Sequence, residues 1–88
     1  MFDFTTKENA DFRIQRVGGN TGLASFDLNY SESSNYFIKN KSYLSSEQFV
    51  DFINSLHFKE KDKTTGPRSL SKNELIKEIE RNWQYEES

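Results

Sequence analysis

The fold is decided by residues 17–23, which read VGGNTGL and hold three of the four glycines of this 88-residue chain. A phosphate-binding loop joins a strand to a helix and commonly ends in Lys followed by Ser or Thr. This stretch lacks that ending, and alternating apolar and polar residues flank it on both sides. Glycine and asparagine are the residues that a hairpin needs where φ is positive. We therefore predict a hairpin turn with Asn20 at its tip and no phosphate site.

Four segments around this turn alternate between apolar and polar side chains, as strands do when one face is buried. They are FDFTT from residue 2, FRIQRV from residue 12, ASFDLNY from residue 24 and NYFIKN from residue 35. If each strand pairs with the next, Ile14 faces Phe26 and Leu28 faces Ile38, which keeps the apolar set on one face. The prediction is an antiparallel meander of three or four strands over residues 1–40.

Two helices with matching start signals follow the strands. Ser45 with Gln48, and Ser71 with Glu74, have the spacing of a capping box. Each signal precedes an apolar stripe at helical spacing. The predicted helices cover residues 45–57 and 71–85, with the stripes Phe49, Phe52, Ile53 and Leu56 in the first and Leu75, Ile76, Ile79 and Trp83 in the second.

Between the helices, FKEKDKTTGPRS alternates in charge and then contains Gly-Pro, which stops a helix. We predict an exposed charged linker over residues 58–70. The expected fold class is α+β, in the order ββββα-linker-α, with both helices on one face of the sheet and a single domain over 1–88. The predicted core consists of Phe12, Ile14, Phe26, Leu28, Ile38, Phe49, Phe52, Ile53 and Leu56.

The composition argues against several kinds of chemistry. The chain has no cysteine, which excludes disulfides, thiolate metal sites and cysteine nucleophiles. Its one histidine, His57, is placed at the end of the first predicted helix, where its charge would suit the helix dipole. The carboxylates are scattered, without a pair for acid–base chemistry or a loop with calcium spacing. We expect no catalytic residues, no metal and no cofactor, and therefore a protein that is not an enzyme.

The charge balance and hydropathy indicate the compartment and the kind of partner. The net charge is −2, from 12 basic and 14 acidic residues, which is neither a nucleic-acid footprint nor a polyacidic surface. No signal peptide is recognisable, and no apolar run approaches the roughly 20 residues that a membrane helix needs. The sequence predicts a cytoplasmic protein without a membrane partner and without nucleic acid as its direct ligand.

Two surfaces are candidates for binding a partner. The second helix follows a charged tether and could dock into a groove of another protein, although its stripe could equally cover the sheet. The residues that would make this contact are Trp83 as the anchor, with Arg81, Tyr85, Lys61, Lys63 and Arg68. Alternatively, the outer sheet face could stack single-stranded bases through Arg13, Phe37 and Lys39.

In size, in its cysteine-free composition with 15% aromatic residues and in its ββββα order, the chain resembles small phage-encoded inhibitors of bacterial machinery, anti-CRISPR proteins among them. The resemblance implies a non-enzymatic protein that occupies the surface of a larger protein, such as a defence or nuclease complex, in the cytoplasm of a bacterial host. It rests on no motif, so it transfers no functional residue. The alternatives are an immunity or antitoxin protein and a single-stranded nucleic-acid-binding domain.

Overall fold

A computed structural model describes residues 1–56, 58 and 69–84 of the chain. It confirms the predicted α+β class, because a four-stranded antiparallel sheet is followed by two helices. The elements are β1 (Phe2–Phe4), a 3-10 turn (Lys7–Asn9), β2 (Phe12–Gln15), β3 (Ala24–Ser25), β4 (Asn35–Asn40), α1 (Ser46–Ser55) and α2 (Lys72–Asn82).

The strands are not ordered as consecutive neighbours. The sheet order is β1-β4-β2-β3, so β4 lies between β1 and β2. Ile14 pairs with Ala24 on one side and with Tyr36 on the other. The predicted pairs of Ile14 with Phe26 and of Leu28 with Ile38 are therefore wrong, because the chain leaves the sheet after Ser25 and β4 returns beside β2.

The turn at residues 17–23 is a hairpin turn between β2 and β3, as predicted. Both Gly18 and Gly22 have positive φ, at 102° and 90°, a region that residues with a Cβ adopt only at a cost. The Thr21 hydroxyl donates to the Gly18 carbonyl, and the Gly22 amide donates to the Gln15 carbonyl at 2.8 Å. The turn is therefore closed by its own bonds.

One hydrophobic cluster joins the sheet to both helices. Of the nine predicted core residues, seven are buried in it, whereas Phe26 is 48% exposed and Leu28 is only partly buried. The structure adds residues that the sequence prediction had not placed in the core, Phe58 and Leu70 among them. The cluster consists of Phe12, Ile14, Ala24, Ile38, Phe49, Val50, Phe52, Ile53, Leu56, Phe58, Leu70, Leu75 and Ile79.

Both helices begin at the predicted caps. Ser45 Oγ accepts from the Gln48 amide at 3.2 Å, and Gln48 Oε1 accepts from the Ser45 amide at 3.1 Å, which confirms the first capping box. In α2, Ser71 Oγ accepts from the Glu74 amide at 3.1 Å. These bonds satisfy amides that a helix start otherwise leaves unpaired.

The start of α2 is attached directly to the sheet. The Leu70 amide donates to the Arg16 carbonyl at 2.8 Å, and Ser69 forms a β-bridge with Val17. The Tyr36 hydroxyl donates to the Leu70 carbonyl. Burial raises the pKa of the Tyr36 phenol above its ordinary value of 10.0, so the hydroxyl keeps its proton at neutral pH and this bond is maintained.

The predicted linker over 58–70 falls largely outside the described residues. Where it is described, it is not exposed throughout: Phe58 at one end is 4% exposed and Leu70 at the other is 2% exposed. Both side chains belong to the core cluster. His57 also lies outside the described residues.

Candidate binding surface

Residues 26–34, which we call the crossing segment, leave the sheet after Ser25 and cross the face opposite the core cluster. The direction follows from the pleat of β2. Phe12 and Ile14 point into the core cluster, so Arg13 between them points to the opposite face. Its side chain contacts the backbone of Asp27 and the ring of Tyr30. The crossing segment therefore covers the middle of the outer sheet face.

Arg13, on β2, holds the crossing segment against the outer face of the sheet. Its Nε donates to the Asp27 carbonyl at 2.6 Å, and its Nη1 donates to Asn35 Oδ1 at 2.9 Å. The guanidinium carbon lies 3.7 Å from the centroid of the Tyr30 ring, a cation–π contact that strengthens when water is excluded. Arg13 is only 7% exposed, so the charge is solvated by carbonyl, amide and ring.

This arrangement corrects the prediction of an open outer face with basic and aromatic groups. Arg13 is buried under the crossing segment, and Phe37, which pairs with Arg13 in the β2–β4 register, is 3% exposed. Only Lys39 is exposed, and its ammonium lies 3.6 Å from a carboxylate oxygen of Asp11. The first two residues are therefore not available for stacking bases.

Short-range side-chain bonds hold the crossing segment in shape. The Asn29 amide donates to Asp27 Oδ1, and the Ser33 amide donates to Ser31 Oγ, both at 3.1 Å. At the far end, Asn35 Nδ2 donates to the Ser31 carbonyl at 3.1 Å, and Arg16 Nε donates to the Ser33 carbonyl at the same distance. Such bonds compete with a sheet ladder, which explains why an alternating sequence is not a strand here.

The crossing segment presents two aromatic side chains to solvent. Phe26 is 48% exposed and Tyr30 is 45% exposed. Tyr30 is four positions after Phe26, so their Cα atoms are at most about 14 Å apart. Tyr43 is more exposed, at 62%, but it follows the end of β4 at Asn40 and is not part of the crossing segment. Phe26 and Tyr30 are thus the candidate contact residues of the crossing segment.

The second-helix candidates have a different environment. The Trp83 ring is half-buried, with its centroid 5.2 Å from that of Phe52 and 5.4 Å from that of Phe49. Arg81 is exposed and forms an ion pair with Glu78 at 3.1 Å. Tyr85, Lys61, Lys63 and Arg68 lie outside the described residues. The role of Trp83 in a partner contact stays a prediction, and the structure shows its ring packed against α1.

We expect Trp83→Ala to lower the free energy of unfolding by about 2–3 kcal/mol, somewhat less than for a fully buried aromatic. The reason is the loss of both ring contacts on α1. Urea unfolding followed by far-UV circular dichroism measures this loss without relying on tryptophan fluorescence. Tyr43→Ala is the control, because it removes an exposed ring. Equal unfolding midpoints for the two variants would show that Trp83 contributes nothing to the core.

An open groove of about 200 Å³ borders the crossing segment near Glu32. Phe4 and Tyr36 contribute aromatic surface to it, and Arg16 and Lys72 bring positive charge. The groove is smaller than the 300–1,000 Å³ typical of sites for small ligands. Within the described ranges, no group of three His, Asp or Glu side chains is placed to hold a metal ion.

Comparisons with protein-family models, with curated proteins and with solved structures found no match to this chain. Neither α1 nor α2, the two α-helices within the described ranges, is long and apolar enough to cross a membrane.

Proposed function

We propose that this protein acts by binding another protein and not by catalysis. The observation that carries the proposal is the exposure of Phe26 and Tyr30 on a segment whose backbone is already fixed. In keeping with the resemblance noted above, we place it among small phage-type inhibitors that block a bacterial defence or nuclease protein in the host cytoplasm. An immunity or antitoxin role is the alternative, and it would use the same surface.

The energetic argument rests on aromatic area and on order. Aromatic residues dominate binding hot spots because they bury a large apolar surface with few rotatable bonds. Association normally costs free energy for ordering loops and side chains. In the crossing segment, part of that ordering precedes binding, since Arg13 holds Asp27 and Tyr30 and local bonds fix the amides of Asn29 and Ser33. A partner pocket that buries the exposed half of Phe26 would therefore lose less of the burial energy to the ordering of the backbone.

The nucleic-acid alternative gains no support from the structure. Two of its three residues, Arg13 and Phe37, are buried, and the outer face that was to stack bases is covered by the crossing segment. The side chain of Lys39 remains exposed, but a single lysine paired with Asp11 does not make the basic groove that single-stranded nucleic acid requires.

We expect Phe26→Ala to weaken binding to the partner at least about 30-fold, the effect of removing a hot-spot side chain. The partner is first isolated by affinity capture from host lysate, and the dissociation constant is then measured by calorimetry with purified proteins. Phe26→Ala should leave the stability nearly unchanged, within about 0.5 kcal/mol, because this ring is half in solvent.

The matched control is Tyr43→Ala, which removes a more exposed aromatic ring outside the crossing segment. It should bind the partner like the parent protein. If Phe26→Ala also binds like the parent, the crossing segment is not the binding surface and the proposal is wrong.

A further inference from the structure

The two edges of the sheet differ in whether their backbone groups are bonded. The edge strands are β3 and β1. In an antiparallel pair, every second residue turns its N–H and C=O away from the neighbouring strand. The hydrogen bonds that flank each edge strand show which residues turn outward. At one edge these outward groups are bonded by a side chain, and at the other edge they are not.

The β3 edge is closed by a side chain of α1. The Gln15 amide bonds the Leu23 carbonyl at 3.0 Å, so Ala24 is the residue whose N–H and C=O face outward. Asn54 bonds both groups: its Oδ1 accepts from the Ala24 amide at 2.8 Å, and its Nδ2 donates to the Ala24 carbonyl at 3.3 Å. The carboxamide thus takes the place of one residue of a further strand.

The β1 edge has no such cover among the described residues. The Thr5 amide bonds the Phe37 carbonyl at 2.9 Å, and the Lys41 amide bonds the Met1 carbonyl at 3.0 Å. Residues 1, 3 and 5 therefore bond β4, whereas the N–H and C=O groups of Phe2 and Phe4 face outward. No described residue donates to these carbonyls or accepts from these amides.

We propose that the β1 edge binds an extended segment of a partner protein, which adds a fifth strand beside Phe2–Phe4. We call this segment the guest. Four outward backbone groups fix the register of such a strand, as in recognition by strand addition. The half-buried rings of Phe2 and Phe4 lie on the core side and offer apolar contacts to alternate side chains of the guest. This surface is distinct from the crossing segment and shares with the proposed function only the class of partner, a protein.

The charge of the guest follows from Asp3. Its side chain points to the outer face, between Phe2 and Phe4, and is about as exposed as that of Lys41, to which it is bonded at 2.7 Å. A guest residue opposite Asp3 would lie about 5 Å from it, and a basic side chain there would share the Asp3 carboxylate with Lys41. The favoured guest therefore alternates apolar, basic, apolar.

The test uses three synthetic pentapeptides and the ¹⁵N-labelled full chain. The probe is acetyl-Thr-Val-Lys-Val-Thr-amide, the charge control carries Glu in place of Lys, and the backbone control carries Pro in place of both Val. On titration to millimolar concentrations, we expect the Lys peptide to shift the amide resonances of residues 2–4. Its affinity should exceed that of the Glu peptide by about fivefold, and the Pro peptide should not bind, because it lacks the N–H donors.

The variant Asp3→Lys should reverse the preference between the Lys and Glu peptides, and it loses only an exposed ion pair of small energetic value. The proposal is overturned if no peptide shifts residues 2–4, or if the Lys and Glu peptides bind alike. It is also overturned if these amides shift with protein concentration alone, because the guest is then a second copy of this chain. None of these results bears on the effect of Phe26→Ala, so the proposed function is tested separately.

Discussion

Replacing Phe49 with alanine is expected to lower the urea midpoint of unfolding far below that of the parent protein. Phe49 is fully buried at the centre of the core, and its ring contacts those of Phe12 and Trp83 at 5.4 Å and that of Phe2 at 6.0 Å. Truncating a buried phenylalanine costs about 3–5 kcal/mol. A domain of this size has a total stability of only about 4–13 kcal/mol, so the loss is a large fraction of it.

Equilibrium urea unfolding followed by circular dichroism measures this effect. Phe49→Leu is the control for size, because leucine keeps much of the volume and should cost clearly less. An unfolding midpoint for Phe49→Ala that equals that of the parent would mean that α1 does not pack on the sheet through this residue.

The helices were predictable because their signals are local. A capping residue and an apolar stripe act within a few turns of chain. Ser45 with Gln48 gave the start of α1, and the stripe from Phe49 to Leu56 gave its buried face. The hairpin turn at residues 17–23 was also set locally, by glycines that tolerate positive φ.

The strand order was not predictable in the same way. The crossing segment has the alternating polarity of a strand, but it does not form one beyond Ser25. Its polar residues Asp27 and Ser31 instead bond nearby amides, and Arg13 binds the Asp27 carbonyl from a strand 14 residues earlier in the chain. Alternating polarity indicates that a segment has one apolar and one polar face. It does not indicate which other strand pairs with that segment.

The candidate site shows the same limit. The alternation of β2 placed Arg13 correctly on the outer face, but its burial depends on a segment that was itself assigned to the sheet. Phe26 was predicted to be core for the same reason, and it is half exposed because β3 ends at Ser25. A sequence signal for the crossing segment does exist: Asp27, Asn29, Ser31 and Ser33 are residues that bond their own backbone in turns.

Phe58 was also missed, because it follows α1 at the start of a charged stretch. Its burial becomes intelligible through Gly22. A Cβ built on Gly22 would overlap the Phe58 Cβ and lie 2.8 Å from its Cγ. The absence of a side chain in the hairpin turn is therefore what lets the aromatic ring enter the core. Gly22 and Phe58, which are 36 residues apart in the sequence, therefore depend on each other for packing.

This contact predicts a graded series at the three glycines of the turn. Gly22→Val should cost at least about 3 kcal/mol, because the strain of a left-handed backbone adds to the displacement of a buried ring. Gly18→Val should cost about 1–2 kcal/mol, since the same strain applies but its Cβ would meet only the end of the flexible Gln15 side chain, 2.9 Å away. Gly19→Ala should be neutral or stabilise by up to about 1 kcal/mol, because nothing lies within 4 Å of its Cβ.

Urea midpoints for the three variants, measured under one set of conditions, test the order. The decisive comparison is between Gly22→Ala and Gly18→Ala, because alanine adds the same Cβ to a similar positive φ at both positions. Backbone strain alone predicts equal losses, whereas the Phe58 contact predicts the larger loss at Gly22. A second variant, Gly22→Ala combined with Phe58→Gly, should lose less than the sum of its single changes, since glycine lacks the Cβ that the Gly22 Cβ would overlap. If the loss of stability in the double variant equals the sum of the two single losses, residues 22 and 58 do not interact, and Phe58 does not pack against the hairpin turn.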